Sequence, residues 1–191
     1  MITLRKAEEK DGNALAEIYR YYVENTAITF EYVAPDGKEF ADRIAHKTEK
    51  YPFIVAEEDG APVGYAYASQ YRERAAYSWD VETSVYVAAS HRGRGIGKRL
   101  YSALEEILKL QNVVNLYACI TYPNPQSASM HEAMGYKYAG RLHFAGFKFG
   151  KWHDVTWFEK QITHPDKPQP IIPYRLLDTD TADGILQNCS I

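Results

Sequence analysis

The chain has 191 residues, a formal net charge of −3 and 46% hydrophobic residues, which fits one domain, or one domain and a tail, around a real core. That charge excludes a strongly basic nucleic-acid-binding surface, and no apolar run approaches the ~18 residues of a membrane span. The two cysteines, Cys119 and Cys189, show neither metal-ligand spacing nor a disulfide framework, so the chain reads as a soluble protein of the reducing cytoplasm, with no metal.

In chain order, "ITLRKA" reads as a first strand, and the start lacks the apolar core of a signal peptide. "DGNALAEIYRYYVEN" places Leu15, Ile18, Tyr19 and Tyr22 at helical spacing. "TAITFEYV" is β-rich. "DGKEFADRIAHKTE" is a second helix, broken at Tyr51-Pro52. Two strands joined at Asp59-Gly60 follow, and then a strand from Trp79 to Ala88. Ile96, Leu100, Ala103, Leu104, Ile107 and Leu108 define an amphipathic helix. "VVNLYACI" is a strand, with Cys119 read as a packed core thiol. "NPQSASMHEAMGY" is punctuated as a helix, with Asn124 as N-cap, Pro125 in the first turn and Gly135 as C-cap. Strands follow near Lys137 to Phe144 and Asp154 to Lys160. Residues 1–162 read as the domain. Residues 163–191 read as an extended Pro-rich tail, packed through Ile171, Ile172, Tyr174 and Leu176. The order predicts a mixed α/β (α+β) layout around one sheet, without the alternation of a doubly wound fold.

The segment "HRGRGIG" between a strand and a helix is a recipe for an anion site. Freed N–H groups at a helix start point outward, and the helix dipole adds partial positive charge. Gly93, Gly95 and Gly97 let the backbone curl around an oxyanion, while Arg92, Arg94, Lys98 and Arg99 add charge. A P-loop fails on spacing, because Arg92 stands where its first glycine belongs and Arg99 where Ser or Thr belongs. The dinucleotide fingerprint fails at Lys98. A pyrophosphate remains the natural ligand.

Arg92-Gly93-Arg94-Gly95-Ile96-Gly97 resembles the R/Q-x-x-G-x-G/A signature of the GCN5-related N-acetyltransferases (GNAT). The likeness narrows to the phosphinothricin and methionine sulfoximine acetyltransferases through "TFEY" (29–32), "YRERAAY" (71–77), "VETSVYV" (81–87), "NPQSASMHEAMGY" (124–136) and "AGFKFGKWHDV" (145–155). The resemblance implies a single domain with a mostly antiparallel sheet of about seven strands, one strand pair splayed, and about four helices. It implies acetyl-CoA as cosubstrate, a small-molecule amine as acceptor, and a homodimer.

On that resemblance the strand ending at Val87 splays from "VVNLYACI", and Val85, Tyr86 and Val87 line the pantetheine arm, with the backbone of Val85 and Val87 pairing with it as an added strand would. The turn from Arg92 through Ile96 to Lys98 holds the diphosphate. Asn124 and Ser127 join the cofactor side, although capping alone explains an Asn. Glu82 is the expected base, because an ammonium has no lone pair and a nearby carboxylate can take its proton. His131 is the candidate acid for the leaving thiolate, or else a structural helix histidine. Arg72 and Arg74, two apart and on one face if extended, suit capture of an acid group, or form only a charged surface hairpin. Phe30 is an acceptor wall or core packing, and Thr83 is placed with the acceptor residues. Trp152, His153 and Asp154 have no matching nucleophile motif and stay outside catalysis.

The expected activity is therefore direct acetyl transfer to a small amino-acid analogue. A protein N-terminus, lysine or polyamine acceptor is the alternative enzyme reading, and an acyl-CoA-binding regulator the non-catalytic one.

Overall fold

In the computed structural model, which describes residues 1–190, the chain runs β1 (Ile2–Lys6), α1 (Gly12–Asn25), α2 (Gly37–Thr48), β2 (Phe53–Glu58), β3 (Ala61–Gln70), β4 (Asp80–Val87), α3 (Ile96–Leu110), β5 (Asn115–Tyr122), α4 (Pro125–Ala133), β6 (Lys137–Lys148), β7 (Lys151–Gln161) and α5 (Thr179–Asn188). The strands form one sheet in the order β1-β2-β3-β4-β5-β7-β6. Only β4 and β5 pair in parallel, and every other neighbouring pair is antiparallel. This is the expected mixed sheet, with five helices rather than about four.

Strand alternation sorts side chains onto two cores. On one face Phe53, Val55 and Tyr65 pack with Leu15, Tyr19 and Phe40 of α1 and α2. On the other, Ile54, Ala66, Ala68 and Val81 pack with Ile96, Leu100, Leu104 and Ile107 of α3. The apolar stripe read from α3 is thus its buried face. Asp36 caps α2 by accepting from the Glu39 N–H at 2.8 Å, and Asn124 caps α4 by accepting from the Ser127 N–H at 3.2 Å.

Three expectations need correction. "TAITFEYV" is not a strand but an irregular linker from α1 to α2. Side chains, not a neighbouring strand, satisfy its carbonyls: Thr121 Oγ1 donates to Ala27 O (2.6 Å) and Lys148 Nζ to Thr29 O (2.8 Å). Backbone groups paired this way remove the need for a ladder, whatever the β propensity. Second, β6 runs past Phe144 to Lys148, with a register slip between Leu142 and Gly146. The Asp154 carboxylate fastens the slip by accepting from the Phe144 N–H (2.9 Å) and from Arg141 (2.8 Å), a structural use of the "WHD" segment. Third, the tail is not wholly extended, because it ends in α5, which packs on β1 and α3. Tyr174 and Leu186 are buried there, whereas Ile172 and Leu176 are exposed.

Candidate active site

β4 and β5 pair only at Asp80↔Asn115, Val81↔Leu116 and Glu82↔Tyr117. Beyond Glu82 the strands part, although β4 continues to Val87 and β5 to Tyr122. The wedge holds a cavity of about 60 Å³ bounded by Thr83, Val85, Tyr101, Cys119 and His131. It shares Ile28, Val85, Asn124 and Ser127 with a cleft of about 470 Å³ that runs to the start of α3.

The Gly-Arg turn forms the far wall of that cleft. Gly93 and Gly95 adopt left-handed φ of 76° and 79°, with open space where a side chain would stand, a conformation that favours glycine. Among the described residues, the N–H groups of Gly93 to Lys98 find no protein acceptor, and the first bond into the turn is Arg99 N–H to Gly95 O at 3.3 Å. Ile96 anchors the turn in the core and Lys98 stays exposed. Gly97 brings the backbone close to α4, since a Cβ there would lie 3.2 Å from Met130 Sδ. Arg92 lies 4.8 Å over the rings of both Tyr21 and Tyr22, and one of its terminal nitrogens is buried without a partner. Unpaired amides, the helix dipole and an orphaned guanidinium nitrogen fit a polyanion such as a diphosphate. Arg94 turns away: it grips Glu58 through two bonds of 2.9 and 2.5 Å. That pairing, with His91 alongside, holds the Glu58 carboxyl at about 2. Only the backbone of Arg94 therefore faces the cleft chemistry expected of it.

Val87 is likewise partly committed. The Tyr22 hydroxyl donates to Val87 O (2.6 Å) and takes the Val87 N–H (3.1 Å). By the alternation of an antiparallel ladder, Val85 presents its own N–H and C=O to the wedge. Tyr86 points to the opposite face, edge-on to Tyr19 and Tyr22 at 5.0 Å.

His131 is buried beneath the wedge, at 2% exposure. Its Nδ1 faces the Ser127 carbonyl at 2.8 Å, which can only accept, so Nδ1 carries the proton and Nε2 takes the Tyr101 hydroxyl at 3.2 Å. Burial lowers its pKa, keeping the ring neutral. Thr83 is also buried, on the strand face opposite Glu82, and donates to Tyr117 O at 3.3 Å. It lines the wedge cavity.

Glu82 faces the α1–α2 side together with Ser84 and Tyr86, in register with Ser69, Tyr67 and Tyr65. Burial pushes its carboxyl above the ordinary range, and Lys47 and Arg72 pull it part of the way back. Cys119 is exposed, not packed in the core. The cleft walls and the nearby Glu82 hold its thiol up at about 12, which makes it a poor nucleophile. Residues 71–77 are a bend and a short 3-10 turn (Ala75–Tyr77), so Arg72 and Arg74 do not share a strand face. Arg72 rests on the Tyr71 ring at 5.0 Å and acts on Glu82; exposed Arg74 only heads the turn. Phe30 packs over Gly146, and its ring centroid lies 6.1 Å from that of His153.

The Acetyltransferase (GNAT) domain family matches residues 4–157. The chain is a GNAT acetyltransferase. A phosphinothricin N-acetyltransferase of Streptomyces viridochromogenes is 35% identical over 172 residues, 90% of this chain and 94% of the relative. An L-methionine sulfoximine/L-methionine sulfone acetyltransferase of Salmonella typhimurium is 31% identical over 168 residues, 87% of this chain and 98% of the relative. Among solved structures, a GNAT phosphinothricin acetyltransferase of Sinorhizobium meliloti in complex with AcCoA superposes with a TM-score of 0.86 at 36% identity, covering 91% of this chain and 96% of that one. Among the described residues no helix is long and apolar enough to cross a membrane, and no cluster of three metal-ligating side chains occurs.

This GNAT site also uses residues that no motif marked. The fold brings Tyr22 to the cleft and Tyr101 to the wedge, and it sets Lys47 on the α1–α2 side, where its charge acts on Glu82.

Proposed function

We propose that this enzyme transfers the acetyl group of acetyl-CoA to the amino group of a small amino-acid analogue of the phosphinothricin or methionine sulfoximine type. The observation that carries this reading is half-buried Glu82 at the residue pair where β4 and β5 part. Acetyl-CoA supplies an activated thioester. The turn amides of residues 93–98 hold its diphosphate, and Arg92 and Lys98 add charge. The Val85 backbone aligns the pantetheine arm, and its N–H polarises the thioester carbonyl. Asn124 and Ser127 border the arm where the two cavities meet.

Glu82 takes the proton of the acceptor amine, directly or through water, leaving a neutral nitrogen to attack. Its raised pKa makes it a better proton acceptor than a solvated carboxylate. His131 Nε2 accepts the Tyr101 hydroxyl proton and so fixes the floor of the wedge, while the departing thiolate takes up the proton that the attacking nitrogen sheds, through solvent. Arg72 anchors the acceptor's α-carboxylate at the mouth, and Phe30 forms an apolar wall. The exposed aromatic strip of Phe144, Phe147, Phe149 and Trp152 at the β6–β7 end supports a homodimer through that end.

Thiol release measured over a panel of amines tests the reading. Turnover should be confined to amino acids and their analogues and should fall sharply in Glu82→Gln. Preference for polyamines or peptide N-termini would overturn it.

A further inference from the structure

A second cavity, of about 290 Å³, lies between α2 and the β2–β3 hairpin, apart from the cofactor cleft. Its walls include Tyr19, Glu31, Arg43, Lys47, Tyr65 and Tyr67. Arg43 is spoken for, gripping Glu31 at 2.8 and 3.0 Å and Glu39 at 2.6 Å. The other Glu31 partner is the Tyr19 hydroxyl at 2.9 Å. Lys47 is different. No carboxylate among the described residues lies within ion-pair distance of it, and its ammonium hangs 4.4 Å over the Tyr67 ring. In the same cavity wall, the fully buried Tyr65 hydroxyl has no partner among the described residues. A cation with no carboxylate partner, in a cavity walled by tyrosines, marks a place prepared for an acceptor-rich group.

The register ties this cavity to the chemistry. Tyr67 is the cross-strand partner of Ser84, and Glu82 lies two residues further along the same face, which is ~6.6 Å of strand rise. In an extended amino acid with an acid group on its γ carbon, the amine nitrogen and the acid centre lie about 5 Å apart for bonds near 1.5 Å. An α-carboxylate carbon lies only about 2.5 Å from that nitrogen, by the same bond lengths. That separation is well beyond the reach of an α-carboxylate and nearer to that of a side-chain acid. We propose that the cavity receives the acidic or strongly polar end of the acceptor's side chain, with Lys47 as its cationic anchor and the Tyr67 hydroxyl as a hydrogen-bond donor. The reacting amine then sits at Glu82 and the α-carboxylate at Arg72. This subsite rests on the amino-acid acceptor proposed above and adds the chemistry that selects its side chain.

The test is calorimetry on the full chain loaded with CoA, a dead-end complex, with phosphinothricin (anionic side chain) and methionine (neutral side chain) as probes. Lys47→Met keeps the aliphatic stem and removes the charge. It should weaken phosphinothricin at least tenfold more than methionine, and Lys47→Arg should restore most of the loss. Tyr67→Phe, which keeps the ring under residue 47, should give a smaller loss with the same selectivity, so the idea stays testable if Lys47→Met melts early. Equal losses for both probes, no loss, or no phosphinothricin binding to the unaltered enzyme would each overturn the subsite. Selective binding without thiol release from any amino acid would instead refute the catalytic reading and leave the subsite standing.

Discussion

Gly146→Ala is the sharpest probe of the acceptor wall. A Cβ at residue 146 would stand 2.3, 2.5 and 2.6 Å from three atoms of the Phe30 ring. Carbon atoms pack at 3.5–4.0 Å, so the ring must retreat by more than about 1 Å. Phe30 sits on the linker between α1 and α2, which Lys148 and Thr121 fasten through the carbonyls of Thr29 and Ala27, so the ring cannot simply swing away with its backbone. Overpacking of this kind costs about 1–3 kcal/mol, and each kcal/mol lowers Tm by about 2–4 °C in a chain of this size. A displacement of about 1 Å at a substrate-positioning residue can lower turnover by up to ~100-fold. The expected result is a lower Tm and a kcat/KM for the acceptor reduced at least tenfold, with KM for acetyl-CoA unchanged. The Phe30→Ala background should erase the stability cost of the second change, because the two residues are coupled through one contact. Unchanged acceptor kinetics in a protein whose Tm has fallen would refute the placing of Phe30 in the acceptor wall.

Glu82→Gln should lower kcat by ~10²–10⁴ with little change in acetyl-CoA affinity, read by thiol release and calorimetry. The acid limb of kcat/KM should lie above the usual glutamate value of about 4.3, because activity is lost as pH falls through the raised Glu82 pKa; Arg72→Ala removes a cation that favours the carboxylate and should move that limb to still higher pH. His131 is neutral when folded, with its pKa lowered, so its contribution to stability is present above about pH 6.5 and is lost as pH falls below it; urea unfolding at pH 7 and 5 should show a smaller decline in His131→Asn. Leu186→Ala in α5, where the leucine is 2% exposed, should cost about 2–5 kcal/mol and leave turnover intact at low temperature, as denaturant titration and a parallel assay would show.

What could be read without a structure was local chemistry. The Gly-Arg turn announces itself because glycine, charge and a helix start are adjacent in the chain, and the α3 stripe repeats within one element. What could not be read depends on partners far away in sequence. Tyr22 meets Val87 across 65 residues, so nothing in "VETSVYV" tells that the last of its backbone pairs is already used. Arg94 and Glu58 are 36 residues apart, and the same turn that supplies amides also parks one of its arginines on the rim. Cys119 is exposed rather than packed, because a β-rich segment has the same pattern in a core and beside a wedge. "TAITFEYV" misled for a different reason: its β-branched residues are real, but Thr29 and Thr121 spend their hydroxyls on tying a linker down. The two arginines of "YRER" lost their shared face to a 3-10 turn that begins directly after Arg74.

The central claim is that the backbone of residues 93–98 grips the coenzyme diphosphate. A ¹⁵N–¹H NMR titration with acetyl-CoA tests it directly. The amides of Gly93, Gly95, Gly97 and Lys98 should move strongly downfield and saturate together with the heat of binding. Binding that leaves those four signals in place, with the shifts clustered elsewhere on the sheet, would contradict it.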